Sequence, residues 1–219
     1  MSSRHGFLWR FLWRLSATIA GLASCIIVQS ARAETIIDEW TAVQAPPPPA
    51  VKPVTIDRKT TALLLLDFNQ QSCNPQRRPR CVASIPKVKT LLAAARAAGV
   101  PVLYTLGGGG KPADIAKELA PAADEPVVSS GVDKFVNTDL EKFLKEKGVT
   151  TVIVVGTAAH GAVVYTASGA AMRGMKVIVP VDGISADIPY AEQYVAWHLA
   201  NVPVISSAMT LTTIDGVKF

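Results

Sequence analysis

Thr61-Ala-Leu-Leu-Leu-Leu66, running into Asp67, and Thr151-Val-Ile-Val-Val155, running into Gly156, are the stretches that decide the fold. Each is a short, unbroken apolar run without polar alternation, as expected of a strand covered on both faces. Helical spacing appears between them. Ile85, Val88, Leu92 and Ala95 recur on one face, and Gly99 stands where that helix should stop. Val100–Thr105 reads as a second strand, and Thr138 with Glu141 as a capping box opening a helix that ends at Gly148. Beyond Gly156 follow a helix from Gly161 to Arg173, a strand over 176–181, a helix from Tyr190 to Ala200 and a final strand around Val202–Ile205. This β-α succession predicts a three-layer α/β/α domain with a mainly parallel sheet. Ligands of such sheets bind beyond the carboxyl ends of the strands, where strand order reverses. Asp67 and the segment Gly156–Ala162 meet in one crevice if their strands are neighbours.

The ends of the chain differ from this core. Arg4, Arg10 and Arg14 precede an apolar run, Leu15–Val28, and then Ala31-Arg32-Ala33, the pattern of a secretory signal over residues 1–33. That run falls short of the roughly 20 residues a membrane span needs, so no transmembrane span is expected in a mature chain starting at Glu34. The expected location is periplasmic. Leu22-Ala23-Ser24-Cys25 offers a lipid anchor through Cys25 as the alternative, although the apolar run continues past the cysteine. Residues 34–58, with Pro46 to Pro49 and Pro53, read as a proline-rich arm, and 59–219 as the folded domain. An arm of this kind leaves a homo-oligomer strapped by it open.

Four arginines and no acid lie in the first 33 residues, and the remainder is nearly balanced, 18 basic against 17 acidic. The basic character belongs to the leader, and no nucleic-acid partner is implied. Cys73-Asn-Pro-Gln-Arg-Arg-Pro-Arg-Cys81 holds the other two cysteines. In an oxidising compartment the pair is expected to form a disulfide, a catalytic thiol or half of a metal site being the alternatives.

Three fragments carry a family resemblance: Leu63–Phe68; Val152-Ile-Val-Val-Gly156-Thr-Ala-Ala-His160-Gly-Ala162 with its continuation to Ala167; and Met172–Gly183. In order and spacing they resemble the isochorismatase-like hydrolases, whose fold is Rossmann-like. The resemblance implies a site built from an aspartate ending the first strand, a lysine before a helix, and a cysteine at the helix start after the glycine elbow. Asp67 matches the aspartate. Ala162 stands at the cysteine position, and its methyl group has no nucleophilic electron pair. Isochorismatases proper also lack that cysteine and, like this chain with His160, carry a histidine two residues earlier. Anchoring on Phe135 and Thr138-Asp139-Leu140 puts Ser129 at the lysine position and Lys134 five residues further on.

Other chemistries find no support. The Asp-x-His signature of metal-bearing relatives is missing after Asp67, and no metal or other cofactor is expected. Gly107–Gly110 with Lys111-Pro112 lacks the first glycine and the Ser/Thr of a phosphate loop, and reads as a crevice loop. Two functional classes remain. The first is a cysteine-independent hydrolase of a small metabolite, cleaving a C–N or vinyl-ether bond with Asp67 as general acid/base and the N–H groups of Gly161 and Ala162 holding developing charge. The second is a non-catalytic module, a pseudoenzyme that binds a small ligand or serves assembly.

Overall fold

A computed structural model describes residues 35–107 and 109–219. The leader, Cys25 and the cleavage site therefore lie outside the described residues. The chain divides into two compact units, Met1–Gln44 and Ala45–Phe219. Of the first, the described part is one short helix, α1 (Ile36–Glu39), capped by reciprocal bonds between Thr35 and Asp38.

The second unit is built on a parallel sheet. In chain order its strands are β1 (Val54–Thr55), β2 (Thr61–Leu66), β3 (Val102–Leu106), β4 (Val127–Ser129), β5 (Thr151–Thr157), β6 (Lys176–Pro180), β7 (Ile184–Ser185), β8 (Met209–Thr212) and β9 (Val217–Lys218). The main sheet runs β4-β3-β2-β5-β6-β8, every pairing parallel, with β7 continuing beside the end of β5. The chain first builds outward from β2 through β3 to β4, then returns to β5 and builds the other way. Strand order thus reverses between β2 and β5, where Leu66 lies opposite Gly156.

The leucine run explains why β2 is central. Ala62, Leu64 and Leu66 enter the core on one face, with α4 (Val164–Met172) and α5 (Pro189–Asn201), while Leu63 and Leu65 enter the core of α2 (Pro79–Ala97) on the other. All are at most 1% exposed, and each buried leucine contributes about 1.5–3 kcal/mol. A further helix, α3 (Leu140–Glu146), joins the first core through Leu140 and Leu144.

Gly99 ends α2 as expected. It takes a φ of +70° and donates to Arg96 O, while Val100 N–H reaches back to Ala95 O. Close approach governs Gly156, where φ is +145° and a Cβ would lie 2.2 Å from Leu66 O. Only glycine lets β5 pass β2 at this point.

Three local expectations are corrected. The capping box at Thr138 does not form: Thr138 Oγ1 donates to Lys134 O at 2.5 Å, and Glu141 pairs instead with Lys145 and Arg173. The helix after Gly156 opens as a wide turn over Ala159–Val163 before α4 begins. The last strand of the main sheet is Met209–Thr212, not 202–205. There Val202 caps α5, Pro203 has no N–H to donate, and Val204 turns left-handed and 88% exposed.

The short strands β4, β1 and β9 had no sequence signal. The last two pair in parallel, and Lys52 N–H and Ile56 N–H add bonds to Leu211 O and Lys218 O. The distal part of the proline-rich arm is thereby sewn onto the domain. Among the described residues, no helix is long and apolar enough to cross a membrane.

Candidate functional site

Asp67 ends β2 in a left-handed turn, φ +58°, a conformation that Asp and Asn tolerate better than most residues. Its N–H donates to Thr105 O, and the turn leaves the carboxylate at the carboxyl end of the sheet. Thr105 Oγ1 donates to Asp67 Oδ1 at 2.9 Å and Lys134 Nζ donates to Asp67 Oδ2 at 2.8 Å. The lysine side chain is 1% exposed and the aspartate 10%. An ion pair so far out of water holds together because each charge has the other and the threonine hydroxyl adds a donor; either charge alone there carries an uncompensated burial cost.

Lys134 sits in the turns between β4 and α3 and is fixed through its backbone. Its N–H donates to Thr166 Oγ1 on α4, and its carbonyl accepts the Thr138 hydroxyl. The next residue, Phe135, packs its ring 4.5 Å from the Arg173 guanidinium. The structure therefore places Lys134, and not Ser129, beside Asp67. Ser129 is exposed at the end of β4 and borders a separate depression with Val136 and Asn137. Ser129 would take the lysine position only with a uniform loop length, whereas Ser130–Asn137 folds as a series of turns with its own anchors, among them Phe135 N–H to Asp133 Oδ1.

The elbow after β5 supplies the opposite wall. Thr157 Oγ1 donates to Ser185 O, and the peptide from Thr157 to Ala158 is cis. Ala162 is buried at the crevice wall, while His160 is exposed at its rim. The N–H of Gly161 donates to Ala158 O at 3.0 Å, as does that of Val163 at 3.2 Å. This corrects the expectation that Gly161 holds developing charge, since its donor is engaged within the turn.

Asp67, Thr157, His160 and Ala162 line a crevice of about 460 Å³, which Gly107 also borders. A Cβ at Gly107 would come within 3.0 Å of Asp67 Oδ2, so any larger residue there crowds the carboxylate. A comparable hollow of about 540 Å³ lies under the amino ends of the strands, among Thr60, Thr61, Thr150 and Thr151. The carboxyl end is the functional one for this fold, because strand reversal opens it and loops rather than strand starts border it.

Arg77 and Arg78 also line the crevice and were not legible as site residues. They belong to the loop closed by the Cys73–Cys81 disulfide, with S–S 2.01 Å. Nothing in a Cys-to-Cys spacing says that the enclosed arginines fold back over a strand end 10 residues upstream. Among the described residues, no group of three His, Cys, Asp or Glu side chains is gathered to hold a metal ion.

A parallel sheet with its crevice at the point of reversal, and an acid–lysine pair facing a helix-start elbow, define a doubly wound α/β domain of hydrolase type. Residues 61–209 match the isochorismatase domain, and the chain belongs to the isochorismatase family. It is 32% identical over 146 residues to an N-carbamoylsarcosine amidase of an Arthrobacter species; the match spans 54% of this chain and 54% of that relative, about half its length. An isochorismatase family protein from Desulfovibrio vulgaris shares the fold at 24% identity and TM-score 0.64, over 72% of this chain and 95% of that one. The N-carbamoylsarcosine amidase from Thermoplasma acidophilum does so at 21% identity and TM-score 0.62, over 71% and 97%.

Proposed function

We propose that the crevice is the active site of a cysteine-independent hydrolase that cleaves a C–N bond of a small metabolite, with Asp67 as general acid/base. The observation that carries this reading is the buried Asp67–Lys134 pair, whose aspartate borders one crevice with the elbow; the family resemblance puts Ala162 of that elbow at the nucleophile position. With a methyl group there, water is the attacking species. Asp67 takes the proton as the water oxygen bonds to the carbonyl carbon, and the Lys134 ammonium and Thr105 hydroxyl keep the carboxylate oriented. The N–H of Ala162, next in the turn after the engaged Gly161, is the donor offered to the new oxyanion. On collapse, Asp67 returns the proton to the departing nitrogen as the C–N bond breaks. The amidase name of one relative favours C–N over vinyl-ether cleavage.

A second reading, a ligand-binding module without turnover, draws support from the same pair: both carboxylate oxygens already accept a strong donor. A hydrolysis screen of the purified chain against ureido compounds, amides and vinyl ethers separates the two. Turnover that is lost in Asp67→Asn is expected. Turnover retained in that variant overturns the mechanism, and silence across the panel leaves the binding module.

We further propose export, on the arginine-flanked apolar leader and the small-residue site ending at Ala33. The disulfide fits an oxidising compartment. Fractionation with amino-terminal sequencing should find Glu34 in the periplasm, whereas an acylated Cys25 in the membrane fraction would establish the lipid-anchored form.

A further inference from the structure

The disulfide-closed loop brings two cations to the crevice that neither the acid–lysine pair nor the elbow requires. Arg78 is 93% withdrawn from solvent, at 7% exposure, and still borders the crevice. Its guanidinium is held in place on one side: Nε donates to Asp187 Oδ1 at 2.6 Å and Nη1 to Ser72 O at 3.1 Å. No acceptor among the described residues takes a bond from Nη2. Arg77, next to it, is exposed and spends Nη1 on Gln71 O at 3.1 Å. The charge balance of the walls follows. Asp67 is neutralised by Lys134 and Arg78 by Asp187, which leaves Arg77 at the mouth as a positive charge with no carboxylate paired to it among the described residues.

We propose that Arg77 and the open edge of Arg78 form a subsite for a substrate carboxylate, and that the Cys73–Cys81 bridge is its positioning element. This rests on the reading of the crevice as the substrate site, and narrows the substrate to a small carboxylic acid bearing the scissile carbonyl at the other end. The carbonyl lies toward Asp67 and Ala162, the carboxylate toward the loop. A planar guanidinium fixed by two bonds offers its remaining N–H groups in a fork that matches a carboxylate, which an ammonium on a mobile stem does not. The bridge closes this loop against the start of α2, where Cys81 is fully buried, so the arginine pair is presented from a fixed base rather than a mobile tip.

The test uses ligands that cannot be turned over, so that it reads recognition alone. Levulinate carries a ketone in place of the scissile carbonyl group and a carboxylate; 5-hydroxypentan-2-one is its neutral counterpart. Titration of the full chain followed by ligand-observed NMR is expected to show levulinate bound about 10- to 100-fold more tightly, the range of one or two charge-assisted hydrogen bonds. Arg77→Gln, an exposed site where folding is not at stake, should remove most of that preference. Arg78→Lys, which keeps the charge for Asp187 but loses the fork, should reduce it by about 10-fold. Equal affinities, no binding of either ligand at millimolar concentration, or a preference undiminished in both variants overturns the subsite. A preference unchanged after reduction of the bridge overturns its positioning role. None of these readouts depends on turnover, so a failed hydrolysis screen and a failed subsite are told apart.

Discussion

Replacing Lys134 with methionine keeps most of the buried stem and removes only the charge, so the effect reads the ion pair itself. In the wild type the Asp67 carboxylate has two donors, Lys134 Nζ at 2.8 Å and Thr105 Oγ1 at 2.9 Å. Lys134→Met leaves it with the threonine alone in a site where its side chain is 10% exposed. Removing one member of a buried pair costs about 3–5 kcal/mol. The remaining hydroxyl bond and the crevice opening place the expected loss near the lower end, about 3 kcal/mol. For a domain of this size that lowers the melting temperature by roughly 6–12 °C. Urea denaturation of the single variants Lys134→Met and Asp67→Asn, and of the double variant, supplies the assay. Asparagine tolerates the left-handed turn at 67, so the cycle is free of a backbone penalty there. The double variant should be more stable than the sum of the singles predicts by about 1.5 kcal/mol or more. A loss under 1 kcal/mol for Lys134→Met, or additivity within about 0.5 kcal/mol, would refute the argument that the two charges depend on each other.

Three further outcomes follow from other parts of the fold. Gly156→Ala should cost about 3 kcal/mol or more, because a Cβ there meets Leu66 O at 2.2 Å and the φ is +145°; thermal denaturation measures it, and a loss below 1 kcal/mol would mean that the strand ends separate easily. Cys73→Ser with Cys81→Ser should lower stability by about 2–3 kcal/mol for a loop of this length, seen as a lower urea midpoint. Burial alone would raise the Glu125 carboxyl, but the Arg96 guanidinium and Ala122 N–H outweigh it and hold it below its ordinary value of 4.5. A depressed carboxyl stabilises the fold above its unfolded pKa, and that stabilisation is lost as pH falls through the folded one. The gap between wild type and Glu125→Gln, about 1 kcal/mol at pH 7, should therefore close below pH 4.5; a gap that persists at pH 3 contradicts it.

The sequence was most informative where one physical requirement dominated. Burial on both faces forces an unbroken apolar run, so β2 and β5 were legible, and Asp67 with them, because a lone acid at the end of such a run has one place to go. Gly99 was legible because a left-handed helix end excludes most other residues. Lys134 was harder. Whether a side chain from a turn-rich segment reaches a strand end depends on loop geometry, and the bonds from Lys134 to Thr166 and Thr138 span distances that no local pattern encodes. Arg77 and Arg78 were hidden for a similar reason: the cysteine spacing spoke for a bridge, but the direction in which the bridged loop folds is set by Asp187, 109 residues from Arg78. Val202–Ile205 misled because β-branched residues also occur in exposed turns, and only the missing donor of Pro203 argued against a strand.

The parallel pairing of Val54 with Val217 acts as a clasp between the entry and exit of the domain. Two-residue strands would fray on their own, yet here each is the other's partner, and Lys52 and Ile56 add a stitch on either side. Neither end can loosen without releasing the other. Amide exchange at the two ends is therefore one event with one opening free energy, and the proline-rich segment that leads into β1 takes hold of the carboxyl-terminal edge of the domain as well as its beginning.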